Sequence, residues 1–481
     1  MSDSNSNPRP AAHSGASNSL TIRLRTLDTP EMFGKVTTLI GSLGIGVGAV
    51  DGFSIVDGHA ERDFTVYPSS VQHGQQLIDA LNALEGAQVV HSSDAVLRAH
   101  LGGKIDIVPR RPIQTRDDLS QVYTPGVARV CMDIHADPSK AYNLTMKGNT
   151  IAIVSDGSRV LALGNIGPLA AMPVMEGKSM LFKRFGNVNA VPICLSTQDP
   201  EEIIAAVKAI SPSFGGVNLE DIASPGCWEI ERRLIAELDI PIFHDDQHGT
   251  AVVVLAATIN AAKVVKKQLR HLRVVVSGVG AAGMACCRLL IAAGVKNLIG
   301  FNINGPIYKG RSGMNAEEQW LAEHSNPKQF KGTMREALKD KDMFLGLSVA
   351  GVIDAEDLKA MRRDPIVFAL ANPQPEVDPY EAARYATIVA TGGSEYYNQI
   401  NNALVFPGMF RGALDCRVRG ITEEMKMEAA RALAAVIPAD RLRHDNIIPS
   451  IFEDKVHTAV AAAVAAVAHR NGEARRVKRL R

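Results

Sequence analysis

The 481-residue chain has no surplus of either charge: 52 Lys and Arg stand against 51 Asp and Glu, a formal net charge of +1. So weak a field recruits neither nucleic acid nor an anionic membrane, and any charged ligand must be held by a local site. Long hydrophobic runs are missing too. The longest apolar stretch near the end, residues 458–468, is built mostly of alanine and is well short of the roughly 20 residues that span a bilayer. The amino terminus lacks the basic start and apolar core of a secretory signal. Rich in Ser, Asn and Pro, residues 1–18 read as a disordered tail. The six cysteines, Cys131, Cys194, Cys227, Cys286, Cys287 and Cys416, have neither the paired spacing of a zinc site nor the density of a disulfide scaffold, which fits a reducing cytoplasm. No fixed-period repeat stands out. The expectation is a soluble chain long enough for about three domains.

Residues 19–101 read as a module of their own. Leu20, Ile22 and Leu24 alternate with Thr21, Arg23 and Arg25, the period of a half-buried strand. Thr29-Pro30-Glu31 then opens a helix, with a capping hydroxyl and a proline at the first helical position. Gly41, Gly44, Gly46 and Gly48 crowd the following turn, residues 62–67 form a strand, Ser70 caps a second helix, and a last strand covers residues 88–91. Strand, helix, strand, strand, helix, strand is the split βαβ order of a ferredoxin-like sandwich. The module resembles an ACT domain. That resemblance implies a small effector, often an amino acid, bound at residues 43–48; the plainer reading is that these glycines only make a tight turn.

Residues 102–249 hold dense short motifs punctuated by Gly and Pro, with no long amphipathic helix expected before 200–210, and read as a substrate- and metal-binding domain. Residues 250–469 begin with a helix over 250–269 and alternate strands and helices, as a doubly wound α/β sheet does. Residues 470–481 make a basic tail. In the second domain, Arg273-Val274-Val275-Val276-Ser277 leads into Gly278-Val279-Gly280-Ala281-Ala282-Gly283 and then a helix over 284–293. Strand, glycine turn and helix in that order make a Rossmann-type dinucleotide site, with Gly278, Gly280 and Gly283 admitting the turn, the pyrophosphate and the helix packing. The next strand should end in an acid for the adenosine ribose. Asn302 stands there, with Lys309 and Arg311 following, so NADP is favoured while NAD stays open.

Two acidic pairs, Glu220-Asp221 and Asp245-Asp246, each follow an apolar, strand-like run. Carboxylates gathered where strands end, with no basic neighbours in sequence, are costly to hold together unless a cation joins them. An all-oxygen set suits Mg²⁺ or Mn²⁺. Spacing alone leaves each pair equally open as a solvated loop or a helix cap.

Taken in order, Tyr123-Thr124-Pro125-Gly126-Val127-Ala128, the run from Asp156-Gly157-Ser158-Arg159 to Gly164-Asn165, Pro173-Val174-Met175-Glu176-Gly177-Lys178, both acidic pairs, Phe368-Ala369-Leu370-Ala371-Asn372-Pro373 and Asn398-Gln399-Ile400-Asn401-Asn402 resemble malic enzymes. The resemblance implies oxidative decarboxylation of L-malate to pyruvate with NAD or NADP and a divalent metal. It makes Glu220, Asp221 and Asp246 the metal ligands. Lys178 becomes the general base for the C2 hydroxyl, Asp245 the carboxylate beside it, and Tyr123 the acid that protonates C3 of the enol. Arg159, Asn372 and Asn402 become holders of the substrate carboxylates. Hydride leaves C2 only as the hydroxyl loses its proton, and loss of CO₂ needs the developing enolate stabilised, so a lysine and an acid cluster belong together. The ACT resemblance, since such modules usually pair side by side, implies a homodimer or larger homo-oligomer, and the balanced charge leaves no nucleic-acid or membrane partner expected. A malolactic enzyme would share these motifs, and an ACT-linked amino-acid dehydrogenase would not need four acids. A non-catalytic sensor would be favoured had Lys178 and Tyr123 been absent.

Overall fold

The computed structural model describes residues 16–161, 163–394 and 396–476, in two compact units that divide after Asp106. Of the expected amino-terminal tail, residues 1–15 lie outside the described residues, and Ala16–Asn18 forms a short 3-10 turn.

The first unit carries β1 (Leu20–Leu27), β2 (Gly46–Val56), β3 (His59–Tyr67) and β4 (Ala87–Asp94) in one antiparallel sheet of order β2-β3-β1-β4. The alternation in β1 buries Ile22 and Leu24 against Val36 and Ile40 of helix Pro30–Ser42 and Leu77 and Leu81 of helix Val71–Ala83. Ser70 accepts the His73 N–H as an N-cap, whereas Thr29 makes no side-chain cap and Pro30 alone marks the helix start. The glycine turn is shorter than its sequence suggests. Gly44 takes the left-handed conformation at φ +71°, and β2 has begun by Gly46. β2 lies at the sheet edge and exposes Val47, Val50, Phe53 and Ile55.

In the second unit, residues 107–149 contain no buried residue. Beyond them β5 (Thr150–Ser155), β6 (Asn189–Cys194), β7 (Val217–Leu219) and β8 (Ile242–His244) form a parallel sheet of order β6-β5-β7-β8. A second sheet is built from β9 (Arg273–Ser277), β10 (Asn297–Asn302), β11 (Gly305–Pro306), β12 (Met343–Gly346), β13 (Ile366–Ala369) and β14 (Ile388–Thr391). Its order is β11-β10-β9-β12-β13-β14, parallel throughout except for β11. That reversal of strand order between β10 and β12 about β9 is the switch point where α/β sheets open a ligand crevice.

Two helices differ from the sequence reading. Gly167–Gly186 is a 20-residue helix where none was expected, because Gly167-Pro168 and Pro173 read as punctuation. Pro168 sits in the first turn, where an N–H would have no helical partner. The helix predicted over 250–269 instead spans Asp245–Val264, so Asp245 and Asp246 occupy its first turn directly after β8. It is buried along most of its length and offers no amphipathic boundary by which to place its ends. At the far end Arg470 pairs with Glu424 and Arg475 with Asp239, so the basic segment is tied down as far as it is described; residues 477–481 lie outside the described residues. Among the described residues no helix is long and apolar enough to cross a membrane.

Candidate active site

The strand ends place the acids. Glu220 and Asp221 follow β7, Asp245 and Asp246 follow the neighbouring β8, and the parallel pairing aligns Leu219 with His244, so the two pairs emerge side by side. One oxygen from each of Glu220, Asp221 and Asp246 lies within 4.8 Å of the others. Asp221 holds a left-handed backbone at φ +54°, and its Oδ2 is buried without a hydrogen-bond partner, while Asp246 Oδ2 accepts the Asp221 N–H at 2.8 Å. A strained backbone and an orphaned carboxylate oxygen facing two more acids fit a hard divalent cation. Asp245 turns away from this trio. It is fully buried and pairs with Lys178, whose Nζ also lies 2.5 Å from Glu220. Its side chain fits because residue 249 is glycine: a Cβ there would fall 1.9 Å from Asp245 Oδ1.

Lys178 comes from the unexpected helix Gly167–Gly186, 67 residues from Asp245, so the cluster has the basic neighbour its local sequence denied it. Burial pushes the Lys178 ammonium towards neutrality, yet Asp245, Glu220 and Asp246 outweigh it and hold its pKa above the ordinary value. The acids are pushed the other way. Burial, with the charge of Asp246 next, raises Asp221 to about 8 against the opposing pull of Lys178. Burial raises Asp245 to about 6 and lifts Glu220 well above its usual range, again against Lys178. Three carboxylates that burial disfavours, Glu220, Asp221 and Asp245, with one ammonium among them, form a site short of positive charge.

The cleft around this cluster, about 700 Å³, is also lined by Arg159, Gly280 to Gly283, Asn372 and Asn402. The glycine turn thus opens into the same space as the acids. Gly278 has φ +90° and no room for a Cβ beside the Leu347 carbonyl, and a Cβ on Gly283 would lie 1.8 Å from the Gly278 carbonyl oxygen. Gly280 has open space instead, with nothing nearer than Ser224 Oγ at 4.0 Å. Asn302 ends β10 as expected, but its amide is engaged: Nδ2 donates to Glu318 at 2.6 Å, and Oδ1 accepts from Arg311 at 2.8 Å. Lys309 is exposed.

Neither Tyr123 nor Asn302, both expected site residues, lines this cleft. Tyr123 is 67 % exposed. Sequence reasoning missed two side chains: Phe406, whose ring lies 4.4 Å from Lys178 Nζ, and Glu231, buried behind the Asp245 turn. For Phe406 the proximity of Asn402 in sequence was a usable signal; for Glu231, in an ordinary amphipathic helix, there was none.

Residues 102–235 match the model of the malic enzyme N-terminal domain and residues 247–469 that of the malic enzyme NAD-binding domain. The NAD-dependent malic enzyme of Geobacillus stearothermophilus is 52 % identical over 96 % of this chain and 97 % of its own length. The bifunctional malic/malolactic enzyme of Bacillus subtilis is 48 % identical, over 78 % of this chain and 92 % of its own. The crystal structure of malic enzyme from Pyrococcus horikoshii aligns with a TM-score of 0.75 at 48 % identity, covering 78 % of this chain and 89 % of that one.

Proposed function

The chain belongs to the malic enzyme family, and from that premise we propose how its residues divide the work. The reaction is the oxidative decarboxylation of L-malate to pyruvate and CO₂ with NAD or NADP as oxidant; relatives of both dinucleotide types match the chain. The observation that carries the site assignment is the convergence of three carboxylates, a buried Lys–Asp pair and a dinucleotide turn on one cleft.

Glu220, Asp221 and Asp246 hold the divalent cation, Mg²⁺ or Mn²⁺. Bound there, it supplies Lewis-acid stabilisation of the charge that develops on the substrate's C2 oxygen as CO₂ departs. With Glu220 and Asp246 committed to a cation, two of the three charges that keep Lys178 protonated are offset, and burial then pushes it towards the free amine a general base needs, with Asp245 still opposing. Lys178 takes the C2 hydroxyl proton, and Asp245 fixes its direction. Gly278, Gly280 and Gly283 bring the backbone close to the dinucleotide pyrophosphate, and Asn302 marks the ribose end. Arg159, Asn372 and Asn402 hold the substrate carboxylates, and Tyr123 returns a proton to C3. Exposed as it is, Tyr123 requires a rearrangement or a second copy of the chain to reach a cleft.

The amino-terminal unit is a ferredoxin-like ACT module that senses an amino acid or other small metabolite near Gly44 to Gly48. Its support is the sheet order β2-β3-β1-β4 and the exposed apolar edge strand β2, which suits side-by-side pairing in a homodimer or larger homo-oligomer. A cytoplasmic location fits the cysteine pattern.

The test is a malate assay with each dinucleotide, with and without Mn²⁺, following NAD(P)H absorbance and pyruvate. Metal-dependent formation of both is expected. Lactate without net NAD(P)H would replace this reading by the malolactic one.

A further inference from the structure

Helix Asp245–Val264 carries both the Lys178 partner and a carboxylate of the acid trio in its first turn, yet its N-cap, His244, makes no side-chain cap. The amides at a helix start need acceptors, and this one lies in the core. The acceptor comes from another helix. Glu231, on Gly226–Glu237 and 6 % exposed, accepts the His244 N–H through Oε1 at 2.9 Å, while its Oε2 faces the Gln247 amide at 3.3 Å and His248 Nε2 at 3.0 Å.

The chain of contacts continues outward. His248 Nδ1 lies 3.0 Å from the buried Lys426 ammonium, which donates to the exposed Glu423 at 2.7 Å. An ammonium only donates and a carboxylate only accepts, so a neutral imidazole with its proton on Nε2 satisfies both neighbours. The carboxylate therefore grips the backbone at 244 and the side chains at 247 and 248, bracketing residues 245 and 246 from both sides, and its charge is answered by Lys426 through the imidazole.

We propose that Glu231 is a positioning residue for the metal site: by anchoring the turn His244 to His248 it sets the direction in which Asp246 presents its carboxylate to Glu220 and Asp221. It touches neither substrate nor reacting atoms. The inference rests on the metal-site reading given above. Partners that orient a metal ligand from behind commonly contribute about 10- to 100-fold to metal affinity.

The experiment titrates Mn²⁺ alone into the full-length protein, with free Mn²⁺ read by electron paramagnetic resonance, for the wild type, Glu231→Ala, Glu231→Gln and Asp246→Asn. Dinucleotide affinity and the unfolding midpoint are measured alongside. Glu231→Ala should weaken Mn²⁺ binding about tenfold or more. Glu231→Gln should fall between it and the wild type, since a carboxamide oxygen still accepts the His244 N–H but its NH₂ faces other donors. Dinucleotide affinity should not move, because the glycine turn is untouched. A purely structural role would lower the unfolding midpoint and leave the Mn²⁺ affinity of the folded protein as it was; a change of less than about threefold, well under that range, in every folded variant of Glu231 overturns the proposal. If Glu231→Ala does not fold, Glu231→Gln decides by the same threshold. A wild type that binds no Mn²⁺, or an Asp246→Asn protein that binds it equally well, overturns the metal site itself and with it this inference, a result distinct from insensitivity to Glu231 alone.

Discussion

Lys178 has two roles that one substitution can separate. As the general base its loss should cost roughly a hundredfold or more in turnover, with dinucleotide affinity unchanged. As the ammonium between Asp245 and Glu220 its loss leaves buried carboxylates unpaired, at roughly 3–5 kcal/mol. Lys178→Ala should therefore unfold at lower temperature than the wild type in chelator, and regain more of its midpoint on adding Mn²⁺ than the wild type gains. Turnover within about tenfold of the wild type would remove Lys178 from catalysis, and equal Mn²⁺ gains would remove the electrostatic account. Asn302 allows a comparable dissection. Asn302→Asp should move the efficiency ratio towards NAD by penalising a 2′-phosphate, but it also sets a carboxylate where the amide now donates to Glu318 at 2.6 Å. The single variant should lose stability, and Asn302→Asp combined with Glu318→Gln should recover it while keeping the altered ratio. An unmoved ratio in both would take the ribose away from this position.

Among elements, the glycine turn was legible in the sequence because its three constraints are local: a tight turn, an open approach and a close packing all fall within six residues of one strand end. Gly283→Ala puts a methyl against the Gly278 carbonyl, and overpacking of that kind costs roughly 1–3 kcal/mol; dinucleotide affinity and the urea midpoint should fall together. Helix Gly167–Gly186 was illegible for the opposite reason, since its prolines signal a break that tertiary packing overrides. With it went the Lys178–Asp245 contact, which no local pattern encodes. Helix Lys455–Arg470 adds a pH dependence. Burial lowers His457, stacked on Phe185 at 4.7 Å and with neither ring nitrogen hydrogen-bonded, to about 4 from 6.5. The folded state holds the ring neutral, so the stability this provides is full above 6.5 and is lost as pH falls from 6.5 to 4 and the unfolded chain takes up the proton. The loss amounts to about 3 kcal/mol at most. His457→Gln should flatten the unfolding midpoint across that window, and an unchanged slope would assign the acid sensitivity to other groups.

For the whole molecule, every residue lining the cleft lies beyond residue 107, in the second unit. Deleting residues 1–100 should leave malate turnover intact without effectors and abolish any response to amino acids or central metabolites. If the full-length enzyme responds and the truncated one responds identically, the sensing site lies outside the first unit. Effector identity was never legible, because glycines at a turn specify backbone shape and no ligand chemistry.

Residues 107–149 carry a different implication. Fixing backbone costs about 1–2 kcal/mol per residue, and none of these residues is buried, while Ile107, Val108, Leu119, Met132 and Met146 present apolar side chains to solvent. A segment ordered at that cost needs something to lie against. If that surface belongs to another copy of the chain, stability becomes a function of protein concentration by mass action. The unfolding midpoint should then fall on serial dilution, and a midpoint independent of dilution would leave the segment's order to contacts within one chain.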